Sequence, residues 1–150
     1  MDSLQINTGE KRIAINNDPT RVLVFNPSDV IFAERFYKLI GEFEAKFTEY
    51  QTKAKAIEAV TDNDANGLPV NTDERIELIK NACLYIKERI DILFGIGSSQ
   101  IIFGDAMNLD MFSEFFTGIT PFIQQARSTK IAQYTTVASA KRNKHKRVAK

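Results

Sequence analysis

The chain has 150 residues, of which 43% are hydrophobic and 26% charged, and its formal net charge is +1. These values are ordinary for one globular domain and exclude a collagen-like or disulfide-rich protein, since Cys83 is the only cysteine. No apolar run approaches the roughly 20 residues that cross a bilayer, and the first residues lack the basic start and apolar core of a signal peptide. The sequence therefore predicts a cytoplasmic protein without membrane contact.

Charge is unevenly distributed along the chain. Residues 1–114 carry 19 acidic and 12 basic side chains, whereas residues 115–150 carry eight basic side chains and no acidic one. Six of these eight lie in residues 141–150, which we expect to form a disordered basic tail. Such asymmetry is typical of a segment that binds a partner or a polyanion. The tail lacks interleaved aromatic side chains, so the pattern does not favour nucleic acid as the partner.

Short strands are predicted at the start of the chain. Residues 3–7 and 11–16 alternate apolar and polar side chains on either side of residues 7–10, which is typical of a β-hairpin. A second turn is predicted at residues 16–20, followed by an apolar strand at residues 21–26. We expect a small three-stranded antiparallel sheet, which needs helices packed on it to be stable.

A long helix is predicted from residue 27 to about residue 59. Asn26 is the expected cap, Pro27 fits the first turn, and Asp29 suits the positive end of the helix. Apolar side chains then recur mostly at three- and four-residue spacing, at Phe32, Phe36, Ile40, Phe43, Phe47, Tyr50, Ala54 and Ile57. This spacing is typical of a helix with one long apolar seam.

Residues 61–71 form a predicted loop with two open interpretations. Residues 62–67 (DNDANG), together with Asp73, resemble the ligand spacing of an EF-hand calcium loop. Pro69 and the short side chain of Asp73 depart from that motif, and Asp, Asn, Gly and Pro also serve ordinary turns. We therefore assign no metal ligand in this loop.

The second half of the chain predicts further helices. One begins after Asn71 or Thr72, carries an apolar seam and lies antiparallel to the first, because the connection is short. Gly95 is expected to end this helix, and Gly104 to end a short apolar connector. Asn108 is expected to cap a helix rich in phenylalanine. Gly118 and Pro121 interrupt that pattern, so Pro121 either kinks one helix or separates two.

These elements predict a mainly helical α+β fold in a single domain, residues 1–140. The strands occupy residues 1–26 and the helices residues 27–140. The expected parts are a small N-terminal antiparallel sheet, two long antiparallel helices and a C-terminal helical pair, with the basic tail of residues 141–150 after them.

No residue type with catalytic, cofactor-binding or metal-binding spacing stands out. Cys83 lies on an apolar seam without a histidine to activate it, and the only histidine, His145, lies in the basic tail. Gly95 and Gly97 follow a helix, whereas phosphate-binding glycine loops connect a strand to a helix. We therefore predict a protein that is not an enzyme and that uses no cofactor or metal.

Phenylalanine is the outlying residue type, with eleven Phe and no Trp. Many of these residues form two stripes, one on the first long helix and one on the helix after Asn108. We expect many of the rings to lie in the core, and the rest to form an apolar groove that accepts a partner helix or an unfolded client. Self-association into a homo-oligomer is the alternative use of that surface. The candidate partner-binding residues are Phe36, Phe43, Phe47, Phe112, Phe115, Phe116 and Phe122.

One stretch carries a resemblance to a known family. Residues 91–105 (DILFGIGSSQIIFGD), followed by a helix rich in phenylalanine and a basic end, resemble tail assembly chaperones of long-tailed phages and prophages of Gram-positive bacteria. The short strands and residues 26–29 (NPSD) before a long helix are also similar. The resemblance covers roughly residues 20–140, and its motifs are short ones that mark turns and carry no chemistry.

The resemblance implies a non-enzymatic protein of the host cytoplasm that is absent from the mature virion. Such a protein binds the tape measure protein, keeps its apolar helices from aggregating, and helps to recruit tail tube subunits during tail morphogenesis. The alternative is a structural virion component or an oligomeric helical adaptor without chaperone activity.

Overall fold

The computed structural model describes residues 1–128; the predicted basic tail of residues 141–150 lies outside them. Within these residues two strands precede four helices. They are β1 (Lys11–Ile15), β2 (Asp18–Phe25), α1 (Val30–Glu58), α2 (Thr72–Phe94), α3 (Ser98–Phe103) and α4 (residues 110–128). The fold is the mainly helical α+β arrangement that the sequence predicts. No helix in the described part of the chain is long and apolar enough to cross a membrane.

The sheet is a hairpin of β1 and β2. The strands run antiparallel, and the turn between them is Asn16 and Asn17, which have positive φ angles of 54° and 60°. A two-residue hairpin needs this conformation at both positions, and asparagine is one of the few residues that tolerate it. The sequence predicted a turn at residues 16–20, but in the structure the turn consists of the two asparagines alone and β2 begins at Asp18.

The predicted third strand at residues 3–7 and the predicted hairpin at residues 7–10 are wrong. Residues 1–10 form no strand or bridge with any other described residue. Gly9 does have a positive φ of 90°, but a Cβ atom there would lie 2.6 Å from the Cβ of Ser28. The glycine therefore permits close contact with the loop that follows β2, and it does not reverse the chain.

The first long helix begins three residues later than predicted. Asp29 is its N-cap: the carboxylate accepts a hydrogen bond of 2.9 Å from the backbone N–H of Ile31. Asn26, the predicted cap, instead bonds within the preceding turn. Aspartate suits this position because it satisfies a free N–H and favours the positive end of the helix dipole.

Replacing Asp29 by alanine is expected to lower the free energy of unfolding by about 0.5–2 kcal/mol, since the cap is lost. Asp29→Asn keeps an oxygen that accepts the same hydrogen bond, so this control should stay near the parent protein. Urea denaturation measures both changes through the transition midpoint at constant slope. Equal midpoints for Asp29→Ala and the parent would mean that α1 does not depend on this cap.

The two long helices form the predicted antiparallel pair. At the loop end, Asn71 donates hydrogen bonds to the carbonyls of Ile57 and Val60, which tie α2 to the end of α1. Nearer the sheet, Glu42 and Arg89 form a half-buried ion pair between the helices. Asn71 stands at the N-cap position of α2 but makes no capping bond with its side chain. We call the half of this pair near the sheet proximal and the half near the loop distal.

The segment between α2 and α4 is shaped by glycine. Gly95 ends α2 with φ of 116° and Gly104 ends α3 with φ of 60°, which confirms both predictions. Side chains hold α3 at each end. Asp91 accepts a 2.8 Å hydrogen bond from its first turn, and Arg21 donates to its last carbonyls at 2.9 and 2.8 Å.

The last described helix is α4, and together with α3 it makes up a C-terminal helical pair; the sequence predicted α3 only as a short apolar connector. Asn108 accepts a 2.9 Å hydrogen bond from the backbone N–H of Met111, as expected for a residue that caps the helix start. Residues 110–128 then run as one helix through Gly118 and Pro121. The structure thus decides the alternative that the sequence left open, because Pro121 does not separate two helices.

The core lies where the sheet, α3 and α4 meet the proximal ends of α1 and α2. Its buried members include Leu23, Phe25, Ala33, Phe36, Cys83, Ile90, Ile102, Phe112, Ile119 and Ile123. Aromatic rings connect the layers: Phe103 meets Phe112 edge to face at 4.8 Å between centroids. The geometry matches the preferred arrangement of aromatic pairs.

Candidate partner-binding trough

One face of α1 passes from the core into solvent. Phe36, Phe43 and Phe47 share this face because they follow one another at seven- and four-residue spacing. Phe36 is 0% exposed, Phe43 is half-buried and Phe47 is 50% exposed. The apolar stripe therefore continues toward the loop after its cover has ended.

The facing stripe of α2 shows the same gradient. Ile90 and Cys83 are 0% exposed, whereas Ile79 and Ile76 on the same face are 42% and 59% exposed. Helical spacing places all four positions on one apolar seam. In the described structure the proximal half of that seam is buried and its distal half is exposed.

The position of α4 explains both gradients. Phe116 packs on Phe36 and Phe43 with ring centroids 6.2 and 5.0 Å apart, so α4 covers the proximal stripes. The helix begins only at residue 110, and Leu109 lies at the edge of the uncovered space. Beyond that edge no described helix forms a third layer on α1 and α2.

The uncovered space is a cavity of about 410 Å³. Residues from three helices line it, among them Phe43, Phe47, Tyr50, Tyr85, Ile86 and Phe116. We call this cavity and its distal continuation past Ile79 and Ile76 the trough. α4 occupies the proximal part of the same groove, so the trough continues a groove that already holds a helix, and its walls are mainly apolar.

Charges at the rim of the trough largely neutralise one another. Glu49 forms ion pairs with Lys53 and Lys46, both at 3.2 Å. These hydrogen bonds lower the pKa of Glu49, and the bond with Glu49 raises the pKa of Lys46. The Lys46 ammonium also lies 5.3 Å from the centroid of the Tyr85 ring. A partner therefore meets an apolar floor beside a rim without strong net charge.

The structure separates the seven predicted partner-binding residues into three groups. Four of them line the trough: Phe43, Phe47, Phe112 and Phe116. Phe115 and Phe122 line a second cavity of about 490 Å³ between the sheet, α3 and α4. Phe36 lies in the core with no exposed surface. Of the four in the trough, Phe47 is the most exposed and Phe112, at 3%, the least.

Sequence reasoning missed the contribution of α2 to the trough. All of the predicted partner-binding residues are phenylalanines, so Tyr85, Ile86, Ile79 and Ile76 are not among them. A general signal was present, because two long apolar seams are more than one small core covers. Which positions stay open depends on where α4 begins, and only the structure gives that.

The acidic loop before α2 is organised as a turn. The carboxylate of Asp64 accepts hydrogen bonds from the backbone N–H groups of Asn66 (2.8 Å) and Leu68 (3.0 Å). Asn63 forms a bridge with Pro69 across the loop. Among residues 1–128 no cluster of three or more His, Cys, Asp or Glu side chains is arranged to hold a metal ion. These contacts support the turn interpretation of the loop composition.

The single cysteine belongs to the core. Cys83 is 0% exposed, and burial raises the pKa of its thiol despite the nearby Lys87. Both effects suppress the reactive thiolate.

Alkylation of Cys83 in the folded protein is therefore expected to be at least about a hundredfold slower than in denaturant, because reaction needs local opening. Mass spectrometry of samples quenched over time measures both rates. A folded-state rate close to the denatured-state rate would contradict the burial of this thiol.

Comparison with known proteins gives one match. The model of a family of unknown function, DUF6673, matches residues 20–150 of this chain. No curated protein and no solved structure matches the chain.

Proposed function

The chain belongs to the DUF6673 family, a family of unknown function, and on the evidence of its open apolar trough we propose that it is a phage tail assembly chaperone. Its client is the tape measure protein, whose apolar helices it holds in the host cytoplasm before assembly. It also helps to recruit tail tube subunits, acts without enzymatic chemistry, and is absent from the mature virion.

The trough is the observation that carries this proposal. A chaperone for a long helical client needs an open apolar surface with the shape of a helix groove. Phe47 (50% exposed), Ile79 (42%) and Ile76 (59%) offer such a surface on two helices whose proximal halves already hold α4. The resemblance of residues 91–105 to tail assembly chaperones supports the same assignment independently of the trough.

The expected free energy of client binding follows from the apolar surface that these side chains bury. Burying one large apolar side chain contributes about 1.5–3 kcal/mol, and a half-exposed side chain gains about half of that. A client that covers three or four such positions therefore binds reversibly, after the loss of its own freedom on binding is subtracted. Reversible binding suits a protein that must release its client to the assembling tail.

Charge supports recognition over a longer range. Residues 115–150 carry eight basic side chains and no acidic one. This segment attracts acidic stretches of the client or of tube subunits and raises the rate of encounter. The effect predicts binding that weakens as salt increases.

Co-expression with fragments of the tape measure protein from the same phage or prophage tests the proposal. We expect a fragment with exposed apolar helices to change from aggregated to recoverable when this chain is present, and to co-purify with it. An unrelated helical protein of similar size and charge is the control. Unchanged aggregation of every tape measure fragment would overturn the chaperone function, and detection of the chain in purified virions would favour the structural alternative.

A further inference from the structure

Residues 1–6 form an arm that the rest of the described chain does not cover. Leu4 and Ile6 are 83% and 74% exposed, and they alternate with the polar side chains of Ser3, Gln5 and Asn7. Alternation of this kind is typical of a strand with one apolar face. The arm thus has the sequence of a strand but no strand beside it among residues 1–128.

The exit of the arm is held by specific contacts. The carbonyl of Thr8 accepts a 2.7 Å hydrogen bond from Asn26, and the Asn7 side chain accepts one of 3.0 Å from the backbone N–H of Gly9. The end of the sheet is the pairing of Lys11 with Phe25. The contact with Asn26 therefore lies beyond that end and holds Thr8 beside the loop that follows β2.

The outer edge of β1 is a place where a further strand can pair. This strand pairs with β2 on one side and with no described strand on the other, so within residues 1–128 its outer N–H and C=O groups have no backbone partner. Coverage of the apolar face is also uneven. On β2, Leu23 and Phe25 are 1% and 5% exposed, whereas Ile13 and Ile15 on β1 are only half-buried.

A cavity lies against the same part of the sheet. Its volume is about 490 Å³, and Ile13, Ile15, Ile119 and Phe122 contribute apolar walls. A strand added beside β1 would direct every second side chain to the face of Ile13 and Ile15. Two aliphatic side chains on that strand would close over the cavity.

We propose that residues 3–7 of one copy of this chain add as a third strand to the outer edge of β1 in a second copy, with Leu4 and Ile6 over the cavity. The donor is a second copy because the hydrogen bond from Asn26 holds Thr8, at the root of the arm, beside the end of β2 and not at the outer edge of its own β1. Backbone pairing supplies the affinity and the alternate apolar side chains supply the register. The inference uses no residue of the trough and does not depend on the proposed function.

The oligomeric state of the full chain gives the first test. Light scattering after size exclusion is expected to show assemblies larger than the 17.0 kDa chain. Leu4→Asp with Ile6→Asp should return the protein to one chain, because a carboxylate placed against the apolar walls at Ile13, Ile15 and Phe122 loses its hydration without gaining a partner there. Ser3→Asp with Gln5→Asp introduces the same two charges on the other face of the arm, so this matched control should remain assembled. Both variants leave the fold intact, since the arm is exposed.

Cysteine cross-linking between two differently tagged populations gives the second test. One population carries Gln5→Cys in the arm and the other Ala14→Cys on the exposed side of β1. Oxidation of the mixture should join the two tags. A chain with both cysteines that cross-links only to itself would place the arm in its own sheet and overturn the exchange. A parent protein of 17.0 kDa, or assemblies that Leu4→Asp with Ile6→Asp leaves unchanged, would also overturn it.

Discussion

Replacing Phe36 by alanine is expected to lower the free energy of unfolding by about 3–5 kcal/mol. The ring is 0% exposed and packs against the rings of Phe32, Tyr37 and Phe116. Its removal leaves a cavity between α1 and α4 and breaks the contact with Phe116. Domains of ordinary size are stable by only about 5–15 kcal/mol, so the loss is a large part of the total. Denaturation in urea measures it through the midpoint at constant slope.

Phe47→Ala is the matched control for this prediction. It removes the same side chain from the same face of the same helix, but at a position that is 50% exposed. We expect a loss of about 1 kcal/mol or less, since little packing is disrupted. If the two variants lose equal stability, the contrast between a covered proximal half and an open distal half of α1 is incorrect.

Placing carboxylates in the trough is expected to abolish binding of a tape measure fragment while leaving the fold intact. The variant combines Phe47→Asp with Ile79→Asp, at positions 50% and 42% exposed on facing helices. A charge that becomes buried without a partner costs several kcal/mol, so affinity should fall at least about a hundredfold. Titration calorimetry or fluorescence anisotropy with a labelled fragment measures this change.

The control for this variant carries the same charges on surface of similar exposure. Ile31→Asp and Leu84→Asp alter residues that are 54% and 45% exposed on α1 and α2 but do not line the trough. Affinity for the fragment should then stay within about twofold, and circular dichroism should show equal helix content in all three proteins. Equal weakening by both pairs of substitutions would assign binding to general surface charge instead of to the trough.

The helices could be predicted because their information is local. Three- and four-residue spacing of Phe, Ile and Leu defines a face whatever lies opposite, and Gly95 and Gly104 stop helices through their own backbone freedom. The sheet was harder to predict. Both the segment at residues 7–10 and the segment at residues 16–17 have turn-forming side chains, and only the pairing of β1 with β2 across Asn16 and Asn17 shows which one reverses the chain.

The candidate site could be predicted only in part, because its exposure depends on a helix that is remote in the sequence. The sequence pointed to Phe43, Phe47, Phe112 and Phe116, which do line one cavity, but it grouped them with the buried Phe36. Periodicity reports which side chains share a face, and it does not report where a neighbouring helix begins. The cover of α1 depends on the position of α4, which begins more than fifty residues after α1 ends.

The amino-acid pattern alone determined that this chain is mainly helical, that α1 and α2 carry long apolar seams, and that the chain turns at Gly95 and Gly104. Tertiary structure alone decided that the seams are covered proximally and open distally, and that the arm of residues 1–6 leaves its own sheet. The physical reason is that periodicity and turn chemistry act within a few residues of one another. Burial instead depends on the positions that segments remote in the sequence take in the folded structure.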